Sequence, residues 1–191
     1  ITPNGNRMKF VRDIANVVMD GKSVETINFE ALGGKDVINI ADMKGTDVKR
    51  INLRLAGTPG GNTGDLAADV VNVKGSHGDD HIAAAAALAG AVTVSGLAAT
   101  VHVSHLEPHP ANGDVINIDA LGGNDSIDAS AVPGNTLAKM GLFGSAGNDS
   151  IKGSDGFDEI KGGDGKDTMD GNKGNDHKFG GSGDDVFIWD P

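Results

Sequence analysis

The sequence predicts an all-β, solenoid-like fold, and three observations carry that prediction. Residues 144–188 divide without insertion into five nine-residue blocks: GSAGNDSIK, GSDGFDEIK, GGDGKDTMD, GNKGNDHKF and GGSGDDVFI. Upstream, one phrase recurs: a glycine-containing turn, an aspartate, then three to five residues of apolar alternation. Two segments, 27–39 (INFEALGGKDVIN) and 116–128 (INIDALGGNDSID), are identical at eight of thirteen positions across an offset of 89. Short runs at period two mark strands with one buried face. Repetition on this scale marks a stack of similar supersecondary units.

The elements follow in chain order. Residues 8–20 (MKFVRDIANVVMD) have the apolar content of a helix, but their β-branched residues and the Asp20-Gly21 turn favour two short strands. The turn–Asp–strand phrase then appears at Asp36 with Val37-Ile38-Asn39-Ile40, at Asp47 with Ile51-Asn52-Leu53, and at Asp69 with Val70-Val71-Asn72-Val73. It returns at Asp80 with His81-Ile82, at Asp114 with Val115-Ile116-Asn117-Ile118, and at Asp125 with Ser126-Ile127. Residues 57–68 (GTPGGNTGDLAA) read as a long exposed loop. The alanine-rich run from His81 to Ala91 suits one helix of about ten residues, followed by strands at Val92-Thr93-Val94 and Val101-His102-Val103. The expected organisation is an irregular β-rich region at 1–141, made of two related units (about 1–90 and 91–141), and a regular array at 142–191.

Composition narrows the function. A net charge of −11 and a pI near 4.7 argue against nucleic acid or anionic membranes as partners. The acidity is 23 Asp against 4 Glu, which favours the short side chain suited to turns and to cation ligation close to the backbone. With no cysteine, neither disulfides nor thiolate metal sites hold the fold. No apolar run is long enough for a membrane-spanning helix. The first residues, ITPNGNRMKF, lack a signal-peptide layout, as expected of a segment of a longer chain.

In the array, position 1 is glycine in every block (Gly144, Gly153, Gly162, Gly171, Gly180), as is position 4 (Gly147, Gly156, Gly165, Gly174, Gly183). Position 6 is always aspartate: Asp149, Asp158, Asp167, Asp176 and Asp185. Glycine permits positive φ, so each block predicts a tight turn followed by a short strand with the position-8 residue (Ile151, Ile160, Met169) facing inward. Two blocks then make a coil of eighteen residues, which aligns Asp149, Asp167 and Asp185 on one edge and Asp158 and Asp176 on the other. Turn-exposed carboxylates remain ionised at neutral pH and repel one another. A divalent cation relieves that repulsion, and oxygen ligands on flexible turns suit Ca²⁺ over Mg²⁺.

The array resembles the RTX (hemolysin-type) calcium-binding nonapeptide repeat, Gly-Gly-x-Gly-x-Asp-x-U-x with U apolar. The resemblance implies a right-handed parallel β-roll with three to four Ca²⁺ between stacked turns. It implies one ion held by Ser145, Gly147, Asp149, Gly162, Asp164 and Asp167, and a second by Gly163, Gly165, Asp167, Gly180, Ser182 and Asp185. A third would take Ser154, Gly156, Asp158, Gly171, Lys173 and Asp176, with the Lys173 side chain an unfavourable neighbour. Lys178 at the inward position 8 predicts a distorted fourth block. Residues 75–83 (GSHGDDHIA) fit the frame alone, and 122–127 fit it in part. A six-residue insertion around Val132–Asn135 would stack the Asp125 turn on the Asp149 turn, and a fourth ion would then lie among Gly123, Asp125, Gly144 and Ala146. The resemblance further implies a type I secreted, extracellular protein whose segment folds on calcium uptake, with neighbouring RTX modules as possible partners.

Competing readings rest on fewer residues. The turns at Asp36, Asp47, Asp69 and Asp114 are expected to satisfy themselves, while Asp80 and Asp125 stand evenly between that reading and calcium. His102, His105 and His109 lie around a strand and two prolines (Pro108, Pro110), so they are expected not to converge on a transition metal. No nucleophile–base arrangement or phosphate-binding loop is recognisable, so no enzymatic activity is expected. The Asp190-Pro191 pair resembles a self-cleaving site of some RTX proteins without the rest of that module. An adhesive or carbohydrate-binding surface stabilised by calcium is the alternative, since flat solenoid faces suit glycans.

Overall fold

The computed structural model describes residues 1–12, 17–88, 90–108 and 113–189. His109, Pro110, Asp190 and Pro191 lie outside the described residues, and with them the third histidine and the Asp-Pro pair.

Eighteen strands and no helix occur among the described residues. β1 (Thr2–Asn4), β2 (Arg7–Arg12) and β3 (Val17–Gly21) form a small antiparallel sheet, so the 8–20 segment supplies two strands. From there the chain alternates between two larger sheets. The nine-stranded sheet contains β4 (Thr26–Leu32), β6 (Arg50–Ala56), β8 (His81–Ala87), β9 (Ala91–Ser95) and β10 (Thr100–Ser104), then β12 (Ser126–Ala131), β14 (Ser150–Lys152), β16 (Thr168–Asp170) and β18 (Val186–Ile188). The six-stranded sheet contains β5 (Val37–Ile40), β7 (Val70–Lys74), β11 (Val115–Asp119), β13 (Lys139–Ala146), β15 (Asp158–Asp164) and β17 (His177–Ser182).

All pairings in these two sheets are parallel except those of β9, which runs antiparallel to β8 and β10. In the array the register advances by eighteen residues: Ile151 pairs with Met169, Met169 with Phe187, and Lys161 with Phe179. Between β12 and β14 the offset is 24, Ser126 pairing with Ser150. That is the stack which the six-residue insertion predicts. The boundary expected at 141/142 falls inside β13, which pairs with β11 on one side and β15 on the other.

Inward residues form columns across the coils. One runs Ile82, Ile127, Ile151, Met169, Phe187; another runs Ile40, Val73, Ile118, Leu142, Ile160, Lys178. All except the terminal Phe187 and Lys178 are buried in one hydrophobic core. Each such side chain contributes about 1.5–3 kcal/mol on burial. Outside, side-chain amides stack in register, Asn117 donating to Asn72 and Asn72 to Asn39.

Two expectations are corrected here, and a third observation concerns the related segments. Residues 81–91 do not form a helix. β8 is paired on both sides, by β12 and β9, and its Ile82 and Ala84 point into the core. Ladder bonds on two edges override alanine's helix propensity. The fourth block is not distorted: Lys178 keeps register over Ile160. It closes that column from the edge strand, its Nζ donating to Ile188 O at 2.7 Å. The two related segments also occupy opposite sheets. The strand at 27–32 lies in the nine-stranded sheet, whereas the matching 116–119 lies in the six-stranded one.

Candidate metal centre

Each array turn is bonded to the next coil through its aspartate. The N–H of Asp149 donates to Oδ1 of Asp167 at 2.8 Å, and that of Asp167 to Oδ1 of Asp185 at 3.1 Å. The same bond extends upstream, from Asp125 to Asp149 (2.8 Å) and from Asp80 to Asp125 (2.7 Å). One edge therefore carries an unbroken column Asp80–Asp125–Asp149–Asp167–Asp185. On the other edge Asp158 donates likewise to Asp176 at 3.1 Å.

That bond recurs at two upstream residues and corrects the expectation for one of them, Asp69. The Asp69 carboxylate accepts the Asp36 N–H at 2.8 Å, and the Asp114 carboxylate accepts the Asp69 N–H at 3.0 Å. The Asp69 side chain serves the neighbouring coil, whereas Asp114 does both, its Oδ2 accepting the N–H of Glu107 from its own turn at 2.8 Å. The signal for Asp80 was present in GSHGDDHIA. That for Asp69 and Asp114 was hidden, because coil offsets of 33 and 45 residues leave no short period to detect.

Four of these carboxylates are buried, which overturns the expectation of exposed turns for them, while Asp80, Asp176 and Asp185 are half-buried. Relative exposure is 2 % for Asp125, 3 % for Asp149, 0 % for Asp158 and 1 % for Asp167. Burial pushes Asp149 up to about 6, with the charges of Asp125 and Asp167 adding and the Asp125 N–H opposing. Burial pushes Asp158 up to about 7 against its Ser154 hydrogen bonds. Asp125, Asp167 and Asp176 are raised for the same first reason. Most telling, the Oδ2 atoms of Asp125, Asp149 and Asp167 are buried without any hydrogen-bond partner. An ionised oxygen in that position is costly unless a counter-charge meets it.

Glycine makes room beside these oxygens. A Cβ on Gly144 would overlap Asp149 Oδ2 and come within 2.8 Å of Gly162 O. A Cβ on Gly162 would overlap Asp167 Oδ2 and come within 2.7 Å of Gly180 O. Carboxylate and next-coil carbonyl thus converge at these two position-1 glycines, as two ligands of one cation would. On the other edge Gly153 has the same neighbours, Asp158 Oδ2 and Gly171 O. At the fourth expected site position 1 is Ala120, and Asp125 Oδ2 is open all the same.

Position 4 is governed by φ. Gly147 and Gly165 both stand at +135°, each against the preceding coil's carbonyl, Gly123 O and Gly147 O respectively. Next-coil carbonyls at position 3 also hold the stack: Ala146 O accepts from Gly123 N–H (3.0 Å), Asp164 O from Gly147 N–H and Ser182 O from Gly165 N–H (both 2.8 Å). The Asp164 side chain turns outward to the Ser182 hydroxyl. Ser145 O and Gly163 O face Gly163 and Gly181 of the following coils. Gly156 O faces Gly174 in the same way, on the Asp158 edge. Lys173 does not intrude on that edge, since its Nζ pairs with Asp155 Oδ2 at 3.0 Å.

Among the described residues no three His, Cys, Asp or Glu side chains gather as a metal cluster. A cation here must draw on one or two carboxylates and several backbone carbonyls, a donor set of hard oxygens that fits Ca²⁺. His102 bonds Thr93, and His105 bonds Ser104, so these two are engaged separately.

Residues 143–177 match the family model described as the RTX calcium-binding nonapeptide repeat, in four copies. No curated protein and no solved structure matches the chain. The matched segment ends before the fifth block, although the Asp185 turn continues the same column. Blocks, register and family match agree: residues 143–177 are RTX nonapeptide repeats, and such repeats imply calcium binding.

Proposed function

We propose that the stacked turns form a calcium-loaded parallel β-roll whose folding is coupled to ion uptake, in a segment of a type I secreted, extracellular protein without enzymatic activity of its own. The observation that carries this reading is the set of buried, unpartnered Oδ2 atoms on Asp125, Asp149 and Asp167. They lie between stacked turns with no protein donor to meet their charge. Calcium supplies the charge that lets these carboxylates stay ionised inside the stack, so its binding free energy is folding free energy. Without it, acidic turns poor in aromatic residues must offset both repulsion and chain entropy. A repeat array unfolded at low cytosolic calcium and folded at millimolar extracellular calcium suits export before the array folds.

Far-UV circular dichroism and thermal melting in EGTA and in millimolar Ca²⁺ test the coupling. Added calcium should increase β signal and raise the melting temperature. Identical spectra and melting temperatures in the two conditions would refute it.

A further inference from the structure

On the two edges of the array, the turns of Asp80, Asp125, Asp149, Asp158 and Asp167 each place a ladder aspartate beneath a following coil, and they are not alike at block position 2, four residues before the aspartate. Leu121, Ser145 and Gly163 have left-handed φ values of +75°, +78° and +122°. Their aspartates, Asp125, Asp149 and Asp167, are the three with an open, buried Oδ2. Ser76 and Ser154 are not left-handed. There the serine N–H donates to Oδ2 of Asp80 or Asp158, each at 2.7 Å. The same serine hydroxyl bonds the carboxylate, Ser76 Oγ at 3.1 Å and Ser154 Oγ at 2.9 Å, and accepts the position-4 N–H, both at 3.1 Å.

We propose that the backbone conformation at position 2 decides which turns take calcium: left-handed Leu121, Ser145 and Gly163 leave an aspartate oxygen to the ion, whereas Ser76 and Ser154 occupy it themselves. The inference rests on the calcium reading and sharpens it. Calcium loads along one edge only, at the interfaces above Asp125, Asp149 and Asp167, and the turns of Asp80 and Asp158 close without it. Asp176 and Asp185 also follow left-handed residues, Asn172 and Gly181, but no later coil lies over them among the described residues.

Serine alone does not dictate the choice. GSAGND at 144–149 and GSDGFD at 153–158 share Gly, Ser, Gly and Asp in register, yet Ser145 is open and Ser154 closed. The difference is a neighbour: Ser145 Oγ donates to Asp119 Oδ1 at 2.9 Å, which holds the hydroxyl away from Asp149. Asp119 is thus a positioning residue for calcium at the Asp149 turn.

Calorimetric calcium stoichiometry on the whole chain tests this, with circular dichroism in calcium to verify the fold of each variant. The wild-type chain should bind three ions. Ser154→Gly removes the hydroxyl and frees the backbone to become left-handed, and should raise the number to four. Asp119→Ala should weaken one of the three ions at least tenfold while leaving the other two. A folded Ser154→Gly chain with unchanged stoichiometry would overturn the proposal, as would four or more ions in the wild type or an Asp119→Ala isotherm identical to wild type. A wild-type chain that binds no calcium would instead overturn the calcium reading beneath it.

Discussion

Gly165 and Gly78 hold the same fourth position in their blocks, yet a methyl group would meet different surroundings. At Gly165, φ is +135° and the added Cβ would overlap Gly147 O of the preceding coil. At Gly78 no positive φ is required and the nearest atom is Ser76 Oγ at 3.9 Å. Gly165→Ala should therefore destabilise the calcium-loaded protein by about 1–3 kcal/mol or more, the range for a residue forced into a sparsely populated conformation. Gly78→Ala should be close to neutral, and denaturant melts of both variants in Ca²⁺ would show the contrast. In the core, Ile160 is fully buried between Leu142 and Lys178. Ile160→Ala should cost about 2–5 kcal/mol by the same measurement, since removed methyl groups leave a cavity that packed strands cannot close. Both positions were legible from spacing: glycine at position 4 and an apolar residue at position 8 are repeated until chance is excluded. The choice between Ser145 and Ser154 was not legible, because the two blocks present the same residue types locally and differ only in what the adjacent coil offers.

At the scale of strands and turns, the upstream column Asp36–Asp69–Asp114 should be proton-sensitive through Asp69 and Asp114. Burial pushes Asp69 up to about 7 and Asp114 up to about 6, from an ordinary 3.8. Carboxyl groups raised on folding favour the folded state when protonated, so this stabilisation is full below pH ~4 and disappears as the pH rises through 6 and 7. In EGTA, the melting temperature should therefore rise as the pH falls from 7 to 5. Asp69→Asn keeps an acceptor for the Asp36 N–H but cannot titrate, and should flatten that dependence. A wild-type melting temperature that falls over this interval would contradict the assignment. Period-two apolar runs make most of the strands legible in the sequence. The run at 81–87 misled because alanine's helix preference is a local property, whereas pairing on both edges of β8 is not. Lys178 misled for a related reason: its ammonium is met by the Ile188 carbonyl from ten residues on, and that partner is not written in a nonapeptide.

Across the whole molecule, stability is graded from a well-packed body to an open end. Ile51, Leu53, Val71, Val73, Ile116 and Ile118 are sealed between the two large sheets. Phe187, the last member of its inward column, is 49 % exposed, and β17 and β18 have a neighbour on one side only. Hydrogen exchange should show the gradient. In EGTA, protection should persist in β4–β11 and be lost in β14–β18; in Ca²⁺, the gain should concentrate in the latter. Uniform protection with and without calcium would argue against a calcium-built end. The gradient also bears on the division at 141/142. β13 crosses it as a continuous strand, so the change along the chain lies in what supplies the stability, with aliphatic packing upstream giving way to ion-linked turns downstream.

From the sequence alone come the period, the inward and outward faces, the two aspartate edges and the choice of calcium. Each follows from residue type at fixed spacing, and eighteen residues per coil converts spacing directly into stacking. Only the tertiary structure decided that four of these aspartates are buried, that the column begins at Asp80, and which carboxylate oxygens remain unpartnered. Those properties depend on the coil above and the coil below. Where the coils are separated by 33 or 45 residues, no local pattern records which one that will be.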